Sequence, residues 1–204
     1  MLRFGLGGLI ALGLAACAPQ LADAGSDILE KRADLSVPVS DVDAFHESIA
    51  VFDSHLDTPA LFHTEAYDFK RRQTWEEDGT HVDLPRMNEG GLDGGFWVIF
   101  TRQGPLDEAS YAAARTQGLL RQTAIREFAA KYHEDVELAF SADDAEQILA
   151  DGKKVVFQSM ENSYPLGTDV SLLEHYYIGG LRMSAPVHFA NNQFADSATD
   201  INQV

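Results

Sequence analysis

The segment Asp53-Ser54-His55-Leu56-Asp57-Thr58-Pro59 places ionisable side chains at two-residue spacing. Side chains two apart on an extended segment point to one side, so His55 and Asp57 can converge on one metal ion, for which an imidazole nitrogen and a carboxylate oxygen are both suited as zinc ligands. Asp53 shares that parity and can support the site from behind the ligands. A His-x-Asp tripeptide also occurs in ordinary surface turns, so its position in the chain matters as much as its composition. Two more candidates stand at the ends of apolar runs: Glu161 closes KVVFQSME, and His188 closes LRMSAPVH. Buried strands that finish in ionisable residues are costly unless those residues meet a metal, one another or a substrate. A carboxylate such as Glu161 can offer one oxygen to each of two metals, and a pair bridged in this way binds hydroxide and polarises a carbonyl, which is hydrolase chemistry. Glu161 would equally suit a helix N-terminus, where the dipole favours an acid, and His188 a satisfied, half-buried position.

The elements that must position these residues follow from periodicity. Residues 48–53 (SIAVFD) and 94–100 (GGFWVIF) read as buried strands, as do 136–140, 154–160 and 181–187. Between them, an alanine-rich stretch over 107–131 and the segments 142–150 and 171–178 read as helices, the last two stopped by Asp151-Gly152 and Gly179-Gly180. Strands alternating with helices argue for an α/β fold with a parallel sheet, either open and doubly wound or closed as a (β/α) barrel. In a barrel the C-terminal strand ends form the active face, where Asp57, Glu161 and His188 would gather. Gly90, Gly91, Gly94 and Gly95 suit close backbone approach in a tight turn rather than phosphate binding, because no GKS or GxGxxG element follows.

The 204 residues carry a net charge of −17, from 15 Lys+Arg against 32 Asp+Glu, with 45% apolar residues. That is a globular composition, and a polyanion is repelled by phosphate backbones, which excludes nucleic acid as a partner. Residues 1–16 place Arg3 before the apolar run from Phe4 to Leu14, followed by Ala15, Ala16 and Cys17. The run is too short to cross a bilayer as a helix, which takes about 20 residues, and reads as a signal peptide. Leu14-Ala15-Ala16-Cys17 resembles the lipobox of bacterial lipoproteins, in which the cysteine is lipidated and becomes the new N-terminus; the alternative is an ordinary secretory signal. Cys17 is the one cysteine of the chain and has no internal disulfide partner. The expected organisation is therefore a signal peptide over 1–16, a lipid anchor with a polar tether over 17–40, and a catalytic domain over 41–204. Ala18, in place of an aspartate, favours the outer membrane, periplasmic side, of a bacterial cell envelope.

Four ordered stretches carry a resemblance to a known family: DSHLDTP from Asp53, HVDLPRMNEGGLDGGFWVIF from His81, SMENSYPLG around Glu161, and MSAPVHFANNQFADS from Met183 to Ser197. Together they resemble the N-terminal part of the membrane dipeptidases, the family that includes renal dipeptidase. The resemblance implies a metal-dependent hydrolase (β/α)8 TIM barrel and a site of two zinc ions. It implies that His55 and Asp57 ligate one metal, that Glu161 bridges both, and that His188 contacts the substrate and steadies the developing oxyanion. It also implies dipeptide substrates, cleaved by metal-activated hydroxide, and a loop at the pocket rim over 191–196. Asn162-Ser163 departs from the glycines that vertebrate-type members carry after the glutamate.

A full barrel takes roughly 250 residues, against about 160 here after the leader and tether. The expectation is an incomplete, N-terminal half of the barrel with little or no activity by itself, and the resemblance implies that two histidines on later strands complete the second metal. His63, His81, His133 and His175 fall in loop or helix contexts and are read as solvated. Two other functions remain open from sequence: another metal-dependent amidohydrolase-type barrel enzyme, or a non-catalytic envelope lipoprotein. Homo-oligomerisation is compatible with either.

Overall fold

A computed structural model describes residues 41–200, which divide between Ile49 and Ala50 into two units. The described part of the first is helix α1 (Val42–Ser48), whose N-terminus is capped by Asp41 accepting from the Ala44 amide at 3.0 Å. The expected leader, Cys17 and all of the expected tether lie outside the described residues.

The second unit is built on a parallel sheet: β1 (Phe52–Leu56), β2 (Gly94–Phe100), β3 (Val136–Leu138), β4 (Lys154–Glu161) and β5 (Leu181–Ala185). β1 pairs with β2, and β2 pairs with β4 in unbroken register from Gly94↔Val155 to Phe100↔Glu161. The other edge of β4 is shared, its first half by β3 and its second half by β5. The sequential order β1-β2-β4-β5, all parallel and joined through helices, is that of a (β/α) barrel segment, with β3 as a short accessory strand at the base.

Helices α2 (Trp75–Asp78) and α3 (Leu84–Glu89) lie between β1 and β2, α4 (Glu108–Lys131) and α5 (Ala142–Ala150) between β2 and β4, and α6 (Leu172–Ile178) between β4 and β5. Helix α4 begins where the Asp107 side chain accepts from the Ser110 amide, and buries Tyr111, Ala114, Gly118, Gln122, Ile125 and Phe128 as one stripe. That stripe packs against a core centred on Trp97, Ile99, Val156 and Met160, with Phe128 stacked on Phe62 at 4.2 Å and Phe69 edge-on to both Phe128 and Trp97. β2 and β4 are covered on both faces, which is why their sequences are almost continuously apolar.

Three sequence expectations shift. The first strand runs over Phe52–Leu56 rather than 48–53 and is mostly exposed. Its apolar lead-in ends at Val51, whose backbone is tied to Asp93: the Asp93 amide donates to the Val51 carbonyl and the Val51 amide to Asp93 Oδ2, both at 2.9 Å. The strand therefore enters the sheet late, and it is paired on one edge only among the described residues. Gly94 and Gly95 lie in β2, not in a turn. A Cβ on Gly94 would strike the Val155 backbone and one on Gly95 would come within 2.6 Å of the Asp53 carbonyl oxygen, so close approach is their reason, while Gly91, at φ 66°, makes the turn. The strand expected over 136–140 ends at Leu138, because Asp144 Oδ2 draws the Phe140 amide into the start of α5.

Candidate active site

His55 lies within β1 and Asp57 just beyond its end; Glu161 is the last residue of β4, and His188 follows β5. Parallel pairing brings all of these to the C-terminal end of the sheet. His55 Nε2 stands 3.4 Å from Asp57 Oδ1 and 3.5 Å from Glu161 Oε2. The other carboxylate oxygen of Glu161, Oε1, lies 3.5 Å from His188 Nε2. Ligand atoms from His55, Asp57 and Glu161 fall within 4.8 Å of one another. Exposure grades across the cluster, from 19% for the Glu161 side chain and 29% for His188 to 42% for His55 and 71% for Asp57.

Around these ligand atoms the chain supplies little competing chemistry. Among the described residues no lysine or arginine lies within ion-pair distance of Asp57 or Glu161, so the two carboxylates face only the imidazoles of His55 and His188. Such a nitrogen and oxygen donor set, open to solvent on one side, fits a divalent zinc ion. Asp53 lines the same cavity, and its Oδ1 accepts the His55 amide at 2.9 Å, which ties down the backbone between His55 and Asp57. Asp57 leads into a 3-10 turn, Thr58–Leu61, whose Pro59 carbonyl accepts from Arg121 on α4. Burial pushes the Arg121 guanidinium below its usual pKa, and the charge of Asp57 acts in the opposite direction.

Beside the cluster lies a cavity of about 400 Å³ bounded by His55, Asp57, Leu61, Thr80, His81 and Val82. Its far wall is held by a buried knot. The Asp83 carboxylate accepts from the amides of Gln73 and Arg86 and from Arg86 Nε, while the Arg86 guanidinium also reaches the Thr80 carbonyl and hydroxyl. His81 stacks on Trp75 at 4.7 Å. His188 sits edge-on to Phe100 at 5.1 Å and against Phe189 at 3.9 Å.

A family model of the membrane dipeptidases, peptidase family M19, matches residues 39–204. The chain belongs to the membrane dipeptidase family. Dipeptidase tcpJ of Claviceps purpurea is 29% identical over 141 residues, which is 65% of this chain and 33% of that protein. Among solved structures, the probable dipeptidase PvdM from Pseudomonas aeruginosa superposes with a TM-score of 0.67 at 28% identity, covering 78% of this chain and 39% of that one. A metallopeptidase from Rhodobacter sphaeroides, liganded with a phosphinate mimic of the dipeptide L-Ala-D-Ala, gives 0.58 at 26% identity, covering 71% and 47%. The chain thus spans from a third to just under half of the length of these relatives. Their fold agrees with the barrel segment seen here.

The family's metal dependence gives the convergence of His55, Asp57 and Glu161 its context. His63, His81, His133 and His175 are all exposed, as the sequence suggested. His81 nevertheless lines the cavity beside the cluster, which the sequence reading missed; its place in HVDLPRM, two residues before the capping Asp83, was the available signal. Asn162, which the sequence marked only as a departure from a family pattern, is fully buried at φ 67° directly after Glu161. There the backbone adopts the left-handed conformation that glycine enters freely and asparagine tolerates best among other residues. The departure from the vertebrate-type glycine thus leaves the turn after the glutamate intact.

Proposed function

We propose that this chain forms the His55–Asp57–Glu161 side of a zinc-dependent dipeptidase site. The observation that carries the reading is the division of Glu161, which turns one oxygen to His55 and the other to His188. On this reading His55 and Asp57 would hold one zinc ion, and Glu161 would help to hold both that ion and a second, two per complete site. When bound, zinc supplies Lewis acidity and a water acidified toward neutral pH. His188, half-buried against Phe100, donates from its imidazole to the carbonyl oxygen of the scissile bond, where negative charge develops. The cavity bounded by Thr80, His81 and Val82 receives the substrate, and its volume of about 400 Å³ admits a dipeptide. Dipeptides with free termini are the proposed substrates, in line with the phosphinate dipeptide mimic bound by the Rhodobacter sphaeroides relative.

The proposed setting is the bacterial cell envelope. Leu14-Ala15-Ala16-Cys17 supports lipidation at Cys17 and attachment to the outer membrane through the lipid. Among the described residues no helix is long and apolar enough to cross a membrane.

The test is hydrolysis of unblocked dipeptides by the expressed protein containing this chain, with zinc and with a chelator. Turnover that the chelator abolishes, that N-acylated dipeptides do not support, and that His55→Ala and Glu161→Gln each lower by at least about a hundredfold is the expected result. Turnover that survives Glu161→Gln would overturn the reading. Palmitate labelling of wild type and Cys17→Ala in a bacterial host tests the anchor, with label expected in the wild type alone.

A further inference from the structure

Among the described residues, positive φ occurs at five glycines and at one other residue, Asn162. A backbone strained at a single non-glycine position persists only where its surroundings over-determine it. Here they do. Asn162 is fully buried, and its Nδ2 donates to the Thr101 carbonyl at 3.1 Å and to Gln103 Oε1 at 3.3 Å, just past the end of β2. Its Oδ1 accepts from Asn192 Nδ2 at 2.8 Å. Asn192 Nδ2 also donates to the Pro186 carbonyl at 2.6 Å, and its Oδ1 accepts from the amides of Phe194 and Ala195 at 2.8 and 3.2 Å. Two asparagines therefore join the end of β2, the residue after Glu161, and both flanks of the loop that carries His188.

We infer that Asn162 and Asn192 form a clamp that positions Glu161 and His188 relative to each other. Without it, the loop keeps its outer anchors: Gln193 Nε2 to the Tyr164 and Gly167 carbonyls, and Ser163 amide to the Pro186 carbonyl. The fold would survive, but the 3.5 Å approach of His188 Nε2 to Glu161 Oε1 would no longer be held from behind. At the other described positions of positive φ the chain uses glycine; here it uses a residue that tolerates such a backbone and adds an amide to tie the loop. Both residues are positioning residues. The inference rests on the proposed roles of Glu161 and His188 for its catalytic consequence, and on geometry alone for the clamp.

Asn162→Gly keeps the left-handed backbone accessible and removes only the amide; Asn192→Ala removes the partner. Hydrogen–deuterium exchange is read at the Ser197 amide, which is bonded to Asn191 Oδ1 at 2.7 Å and to neither substituted residue. Each single variant is expected to speed that exchange about tenfold with little change in melting temperature, and the double variant to speed it by clearly less than the product of the two, as a shared interaction requires. In the expressed protein containing this chain, zinc affinity should change less than about threefold, while kcat for dipeptide hydrolysis falls about tenfold or more with KM nearly constant. Unchanged exchange in Asn162→Gly, or additive effects in the double variant, would overturn the clamp. Should the wild-type protein hydrolyse no dipeptide, the functional reading fails and the exchange data alone decide the clamp.

Discussion

Replacing Asp83 with alanine should cost the second unit about 3 kcal/mol, and the reasoning can be followed atom by atom. The Asp83 side chain is fully buried and accepts three hydrogen bonds, from the Gln73 amide at 2.9 Å, the Arg86 amide at 2.8 Å and Arg86 Nε at 2.7 Å. Its removal strips the N-cap of α3, worth about 1 kcal/mol, and leaves the Gln73 amide without its acceptor. It also leaves the Arg86 charge without its carboxylate, for which breaking a buried pair costs about 3–5 kcal/mol in full. Because the Arg86 side chain is 22% exposed, water screens that charge and brings the cost to about 2 kcal/mol, which with the cap makes about 3. For a unit of this size each kcal/mol moves the melting temperature by about 2–4 °C, so a fall of about 6–12 °C is expected. Thermal unfolding followed by circular dichroism reads it, with Asp83→Asn, which keeps one acceptor oxygen, falling between alanine and wild type. Zinc binding should survive, since the hydrogen bonds that Asp83 accepts come from Gln73 and Arg86 and not from His55, Asp57 or Glu161. A drop below about 2 °C for alanine would refute the knot as a stabilising element.

Burial pushes the Tyr176 hydroxyl up to about 12. A neutral phenol favoured in the folded state stabilises fully below the unfolded value near 10, and the benefit is lost as pH rises from about 10 through about 12. Unfolding free energy measured across that window should therefore fall in the wild type, with a shallower slope in Tyr176→Phe; equal slopes would discount burial of this group. Gly94→Ala drives a methyl group into the backbone of Val155, which is itself paired in the sheet, so a loss of more than about 3 kcal/mol in chemical denaturation, or failure to accumulate as soluble protein, is expected. Near-wild-type stability for that variant would mean the β2–β4 spacing is looser than described.

Much of the candidate site was legible because its ionisable residues fall at or near strand ends. The runs ending at Glu161 and leading to His188 announce their strands by apolar content, and the two-residue spacing of His55 and Asp57 needs only an extended backbone to make sense. The helices 108–131, 142–150 and 172–178 were equally plain, since each carries a cap or a glycine stop together with a periodic face. What stayed hidden depends on distant partners. The start of β1 is set by Asp93 some forty residues away, and the sharing of one edge of β4 by β3 and β5 has no local signature. Helices α2 and α3, of four and six residues, are too short to show a period. Asn162 was noticed only as a departure from a family pattern, because neither its backbone conformation nor its bond to Asn192 can be read from neighbours in sequence.

The account stands most directly on whether His55, Asp57 and Glu161 hold a zinc ion together. Equilibrium dialysis of the purified 204-residue chain against zinc, with bound metal measured by mass spectrometry, gives the answer. The described residues contain a single group of three candidate ligands, so about one zinc ion per chain is expected, lost in His55→Ala and in Glu161→Gln but retained in His81→Ala. No bound zinc, or zinc retained at full occupancy in both the His55 and the Glu161 variants, would contradict it.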